Sequence, residues 1–170
     1  MRSIPISSYI VRFLFAFAMI GSLTACGSGE RETQRAARDG ILLFGNGSEP
    51  KGIDPHLVTG VPENKIISAL VEGLVSYHPT SDLESSPGMA ERWESNADFT
   101  VWTFYLRDAK WTNGDPVRAQ DFVYSWQRIL SPELGAEYAP MLYVIKNAEA
   151  FNTGGLKDFS QVGVKALDDK

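Results

Sequence analysis

The chain is 170 residues long, 44% apolar and 22% charged, with 16 basic against 21 acidic side chains and a formal net charge of -5. That apolar content excludes a disordered chain, and the length sets a single domain as the default. An acidic chain with no basic patch interleaved with aromatics is also excluded as a nucleic-acid binder, because phosphate binding relies on clustered Lys and Arg.

The first segment reads as an address rather than as fold. Arg2 and Arg12 precede Phe13-Leu-Phe-Ala-Phe-Ala-Met-Ile20, an apolar run too short to span a bilayer as a helix, and Gly21-Ser-Leu-Thr-Ala-Cys26 follows. This is the layout of a secretory signal peptide over residues 1–25. Cys26 is the only cysteine, and Leu23-Thr24-Ala25 before it resembles the bacterial lipobox, in which the thiol is diacylated. A membrane anchor through Cys26 follows from burial of the lipid chains at ~0.8 kcal/mol per methylene, with more than one chain needed for stable attachment. Residues 1–25 hold two arginines and no acid, so the remainder carries 14 basic and 21 acidic side chains, a net charge of -7. Residues 26–39 are polar and nearly charge-balanced, which suits a tether; Glu30 to Arg38 fits a short helix equally well.

Ile41-Leu-Leu-Phe44, between Gly40 and Gly45, predicts a strand buried on both faces, with Asn46 to Pro55 as the loop at its carboxyl end. Pro62 to Gly73 predicts a helix with Pro in its first turn, apolar residues at 66, 67, 70 and 71, and Gly73 as its stop. Leu74 to Tyr77 is a short strand, His78 to Gly88 a turn-rich connector, and Met89 to Trp93 a lead-in to the next strand. Val101 to Leu106 alternates with period two, Trp102, Phe104 and Leu106 facing one way and Val101, Thr103 and Tyr105 the other. Asn113-Gly-Asp-Pro116 is a turn, since Gly tolerates positive φ and Pro presets φ. Phe122, Val123, Trp126, Ile129 and Leu130 then form one apolar helical stripe, which Ser131-Pro132 ends. Tyr138 to Ala150 has helical spacing. Val162, Val164 and Ala166 alternate as a strand, with Asp168-Asp-Lys170 as the start of a hairpin turn.

The chemistry on offer is sparse. His56 and His78 stand apart from cysteines and paired carboxylates, so neither predicts a metal site, and His56 reads as a loop cap. Gly45-Asn-Gly47 follows a strand but lacks the third glycine of a dinucleotide loop, and the nucleophile-elbow and phosphate-loop signatures are absent from the sequence. Asp115 and Asp121 flank a turn and a helix start, where carboxylates serve amide donors and the helix dipole. With no catalytic set, the chain is not read as an enzyme, and no cofactor is expected. Trp102, Trp111 and Trp126 are read as core. Tyr138, just past the Leu134-Gly-Ala136 break, carries a hydroxyl that either packs or faces a cleft.

In order along the chain, Asn46-Gly-Ser-Glu49, Ile53-Asp-Pro-His56, Gly60-Val-Pro-Glu63, Glu72-Gly-Leu74, Pro87-Gly-Met-Ala-Glu91, Val101 through Arg128, and Val162 through Asp169 carry a resemblance. They resemble the extracellular solute-binding proteins, family 5, of peptide ABC importers. The resemblance implies a two-lobed α/β protein of the periplasmic-binding-protein type II fold, truncated here to part of the large lobe and the small extra domain. Residues 40–72 are then the start of the large lobe, 73–160 the small accessory domain and 161–170 the return strand. The lobe expected to hold a peptide's amino terminus lies outside this sequence.

By the same resemblance, Thr59, Val61 and Tyr138 match cleft-lining positions, and Thr59 stands where the family's oligopeptide binders have a carboxylate. The implied partners are an oligopeptide ligand, the permease subunits of the importer and, through Cys26, a membrane, with the protein monomeric and held in the periplasm or cell envelope. A different ligand within the family (nickel chelate, sugar, opine or murein peptide) stays open, as does a small envelope scaffold lipoprotein. Arg118 replaces the family's usual Thr before Ala119-Gln-Asp121. A Thr there would cap the helix with Asp121 as its capping-box partner, so Arg118→Thr is expected to stabilise the domain by ~0.5 to 1 kcal/mol.

Overall fold

The computed structural model describes residues 30–170, so the expected signal peptide and Cys26 lie outside the described residues. The described residues divide into two units at Gly45/Asn46, 30–45 and 46–170. In the first, a helix α1 (Glu32–Arg38) occupies part of the stretch that also fitted a tether. Gln34 accepts the otherwise orphaned Arg31 amide at 3.1 Å, and Arg38 donates to both Glu30 oxygens at 2.9 and 3.0 Å. The strand expected at Ile41 to Phe44 does not form. These residues carry no ladder, and Leu42 is 87% exposed. At its start the Ile41 amide donates to the Ala36 carbonyl at 2.7 Å, closing helix α1 rather than pairing with a neighbouring strand.

The second unit begins with an irregular loop and a helix α2 (Val61–Leu70), with Pro62 in its first turn as expected. It ends three residues before Gly73. Val71 is already extended, and Gly73 serves a different purpose: its carbonyl accepts the Met89 amide at 2.9 Å, and a Cβ on Gly88 would lie 2.6 Å from that carbonyl oxygen. The two glycines let the segments meet.

Strand β1 (Val75–Tyr77) pairs antiparallel with β2 (Ser85–Pro87), which corrects the reading of His78 to Gly88 as connector alone. Strand β3 (Ala90–Ser95) pairs with β4 (Trp102–Leu106) through a bulge between Ala90 and Arg92. Met89 to Trp93 is thus a strand in its own right. Asn96 closes the β3–β4 turn by accepting the Thr100 and Val101 amides at 2.9 and 3.1 Å. The tryptophans need correction too. Trp102 and Trp111 are each about half exposed, and their indole N–H groups donate to the Phe99 carbonyl and to Asp121; Trp126 is half-buried.

The turn at Asn113 to Pro116 forms as read, with Gly114 at φ 96° and the Asn113 side chain accepting the Asp115 amide. Helix α3 (Ala119–Leu130) follows and stops at Ser131. Its apolar stripe leads into the core, where Leu130, Ala136, Ala139, Ala148, Phe151 and Val162 are buried together. Phe151 meets Phe159 edge-on at 5.1 Å. The helix leaves its last carbonyls without internal partners, and Asn152 donates to that of Leu130 at 3.0 Å.

The helix expected over Tyr138 to Ala150 is broken. A 3-10 turn (Ala139–Leu142) and a short helix α4 (Ala148–Asn152) are separated by Asn147 in the left-handed region at φ 63°. Pro140 fits the first turn of the one, and Asn tolerates the reversal before the other. The Lys170 amide donates to the Asp168 side chain at 2.9 Å in a local turn, and Val162 to Ala166 is not a strand. Instead the Gly163 amide donates to the Lys146 carbonyl at 2.9 Å, which drives Val162 into the core.

Candidate functional site

The residues singled out by resemblance meet at one place. Thr59 ends the loop that leads into α2, Val61 is the first residue of that helix, and Tyr138 precedes the 3-10 turn. The Tyr138 hydroxyl donates to the Thr59 carbonyl at 3.1 Å, joining positions 79 residues apart. Thr59 is thereby held by its main chain and keeps its side chain exposed. Val61 is 68% exposed, an apolar side chain beside a polar clasp.

What shapes this loop is a set of polar residues that the sequence did not single out as a site. Glu63, in the first turn of α2, is only 3% exposed and accepts the Lys51 amide at 2.6 Å. That amide, followed by the helix's own N–H at Glu63, holds the carboxyl below its ordinary range. Gly60 permits this fold-back, because a Cβ there would lie 2.0 Å from a Glu63 oxygen.

Further along the loop, Asp54 takes a forked pair of hydrogen bonds from Arg128 of α3, at 2.8 and 2.6 Å. Asp54 also accepts the His56 amide at 3.0 Å. The Arg128 bonds, aided by the His56 amide and opposed by partial burial, bring the Asp54 carboxyl down to about 2 from 3.8. The His56 ring lies between two residues one turn apart on α3. Its Nδ1 is 2.6 Å from Arg128 Nη1 and its Nε2 is 2.9 Å from Ser125 Oγ.

A guanidinium can only donate, so Nδ1 accepts, and the neutral ring carries its proton on Nε2 and donates to Ser125. Burial first, and then the Arg128 charge, hold the His56 pKa below its ordinary value, with Asp54 opposing. The arrangement superficially resembles a Ser-His pair but offers the serine a donor where catalysis needs a base. The signal in the sequence was faint: Ile53-Asp-Pro-His56 stood out as a matching stretch with His56 read as a loop cap, and Ser125 and Arg128 flank the apolar stripe of α3 without distinguishing themselves.

Elsewhere the site residues do not gather. Among the described residues no group of three or more His, Cys, Asp or Glu side chains could hold a metal ion. An open depression of about 460 Å³ is lined by Glu91, Arg92, Tyr105, Leu106 and Asp168 to Lys170, and none of Thr59, Val61 or Tyr138 borders it.

Residues 84–170 match the family model described as bacterial extracellular solute-binding proteins, family 5 Middle. The chain belongs to this family. Within family 5, it is 49% identical over 133 residues to the periplasmic oligopeptide-binding protein OppA of Salmonella typhimurium, covering 75% of this chain and 23% of that protein. Among solved structures, the Haemophilus influenzae OppA complex with RPPGFSPFR superposes with a TM-score of 0.68 at 45% identity, over 73% of this chain and 24% of that one. The Escherichia coli murein tripeptide binding protein MppA follows at TM-score 0.66 and 44% identity, over 71% of this chain and 24% of that one. The fold is therefore part of the periplasmic-binding-protein type II architecture. The chain spans about a quarter of the length of the curated relatives it matches.

Proposed function

We propose that this family 5 chain belongs to the substrate-binding subunit of an ABC importer that captures oligopeptides outside the inner membrane and hands them to the permease. The observation that carries the reading is the Tyr138–Thr59 clasp, which brings together two of the three positions inferred to line the cleft and leaves Val61 exposed beside them. The similarity to peptide binders supports the ligand class. In this reading residues 73–160 form the small accessory domain, residues 40–72 and 161–170 belong to the large lobe, and Thr59, Val61 and Tyr138 face the ligand. Cys26 carries the lipid that holds the protein at a membrane of the cell envelope.

The test is calorimetric titration of tri- to pentapeptides into the complete gene product. Heat release with one-to-one saturation is expected, and silence across a mixed peptide library overturns the proposal. For the anchor, labelled palmitate should be incorporated by the intact protein and not by Cys26→Ser. A second reading, a murein peptide as ligand, is favoured by the similarity to the murein tripeptide binder and by Thr59, which offers a hydroxyl where the family's oligopeptide binders have a carboxylate. Saturation by murein tripeptide with no heat from ordinary peptides would select it.

A further inference from the structure

The loop from Asn46 to Gly60 has little structure of its own. Its internal bonds are few: the Asn46 side chain to the Ser48 carbonyl, the His56 amide to the Asp54 carboxylate at 3.0 Å, and the turn in which the Leu57 and Val58 amides donate to the Asp54 carbonyl at 3.1 and 3.2 Å. Yet it leads to Thr59 and Val61, and four polar contacts tie it to α3: two from Arg128 to Asp54, one from Arg128 to His56, and one between His56 and Ser125. With Glu63 of α2 accepting the Lys51 amide and Tyr138 gripping Thr59 three residues after His56, the segment is pinned at three points.

We propose that Arg128, holding both Asp54 and the neutral ring of His56, is a positioning residue for the loop that bears Thr59 and Val61, and that protonation of His56 releases this loop in acid. The role assigned to Thr59 and Val61 rests on the peptide-binding reading; the latch itself does not.

The geometry gives the direction. A second proton on the ring would sit on Nδ1, 2.6 Å from Arg128 Nη1, setting donor against donor and cation against cation. Asp54 attracts the added charge, but less strongly than burial and Arg128 oppose it. On the other side, Ser125 is uncharged. Tyr124, on the same helix, also interacts with Arg128. Burial and the guanidinium both disfavour the charged ring, so the latch is closed at neutral pH and opens on acidification below the ordinary histidine range.

Two measurements on the intact chain test it. Long-range proton–nitrogen spectra near pH 7.5 should show His56 protonated at Nε2 and bare at Nδ1. Amide exchange of Leu57 and Val58, corrected for intrinsic rates, should rise more than about threefold between pH 7.5 and 5, while the core amide of Ala148 stays put. In His56→Gln, which can still donate toward Ser125 but does not titrate, that acid response should vanish. Arg128→Lys, which keeps the charge and loses the fork, should speed loop exchange at both pH values. A proton on Nδ1, or an acid response that persists in His56→Gln, overturns the proposal. In the complete gene product, peptide affinity should fall in acid in the wild type and hold in His56→Gln. Absence of peptide binding at either pH, with the loop response intact, would sink the peptide reading and leave the latch standing.

Discussion

Residues 130–164 and residues 46–63 are held by different forces. In the first, Leu130, Ala139, Ala148, Phe151 and Val162 exclude water from one another, and the bonds that matter follow from burial. In the second, the described contacts are mostly polar: Glu63 to Lys51, Asp54 and His56 to Arg128, and Thr59 to Tyr138. Apolar packing is sensitive to volume and nearly indifferent to pH, whereas a polar clasp is sensitive to charge and tolerant of small changes in volume. The segment 46–63 is thus expected to be the easier to loosen without unfolding the rest.

The largest effect should come from breaking the first region at its centre. Leu130 is fully buried, so Leu130→Ala removes its transfer energy and leaves a cavity, at a cost of about 2–5 kcal/mol read from the urea midpoint. Gly163→Ala tests the same region by overfilling. The new Cβ would lie 2.9 Å from Lys146 Cβ and 3.3 Å from its amide nitrogen, close to the main chain, which has little room to yield. A loss of about 1–3 kcal/mol is expected. An unchanged midpoint for either variant would mean that packing does not dominate there.

Asp54→Asn probes the second region. The sign follows from the depressed carboxyl: the folded state favours the charged form, so the contribution is complete above the ordinary value of 3.8 and is lost as pH falls from there to about 2. The pair is about a third exposed, so solvent screening reduces the contribution of that shift to about 1 kcal/mol. The variant should therefore lose about 1 kcal/mol at neutral pH and show a flatter acid limb between pH 4 and 2. A parallel limb would place the acid sensitivity elsewhere.

The same contrast decides what could be read in the sequence. The turn at Asn113 to Pro116 and helix α3 were legible because Gly114, Pro116 and a 3.6-residue apolar stripe act within a few residues of one another. β2 was not, because Ser85-Ser86-Pro87 has no pattern of its own and is a strand only through pairing with Val75 to Tyr77. β3 was blurred by its bulge and by four polar side chains after Ala90. The helix over Tyr138 to Ala150 failed because apolar spacing alone does not register a left-handed Asn147. At the site, Thr59, Val61 and Tyr138 came from resemblance, and the structure adds the Thr59–Tyr138 contact. The latch joins Asp54 to Arg128 across 74 residues, and no local pattern encodes a pair at that separation.

Arg118→Thr is the smallest expected effect and the sharpest test of how much an exposed polar contact contributes. Arg118 is the N-cap of α3, and its amide donates to Asp121 at 2.9 Å, which is half of a capping box. The other half is missing, because a guanidinium has no lone pair to offer the Asp121 amide. A Thr hydroxyl would supply it, stabilising by ~0.5 to 1 kcal/mol. The Arg118 side chain is not idle, however: it reaches the Asp169 carboxylate at 3.0 and 3.2 Å, with both partners more than half exposed. Pairs of this kind contribute ~0 to 1 kcal/mol and weaken in salt. The expectation from sequence alone is therefore reduced to a net change within about 0.5 kcal/mol at low ionic strength, turning towards stabilisation as salt screens the lost pair. Urea midpoints of both proteins at low and high salt check this. If the variant is less stable by the same margin at both, Arg118 contributes through packing and not through its charge.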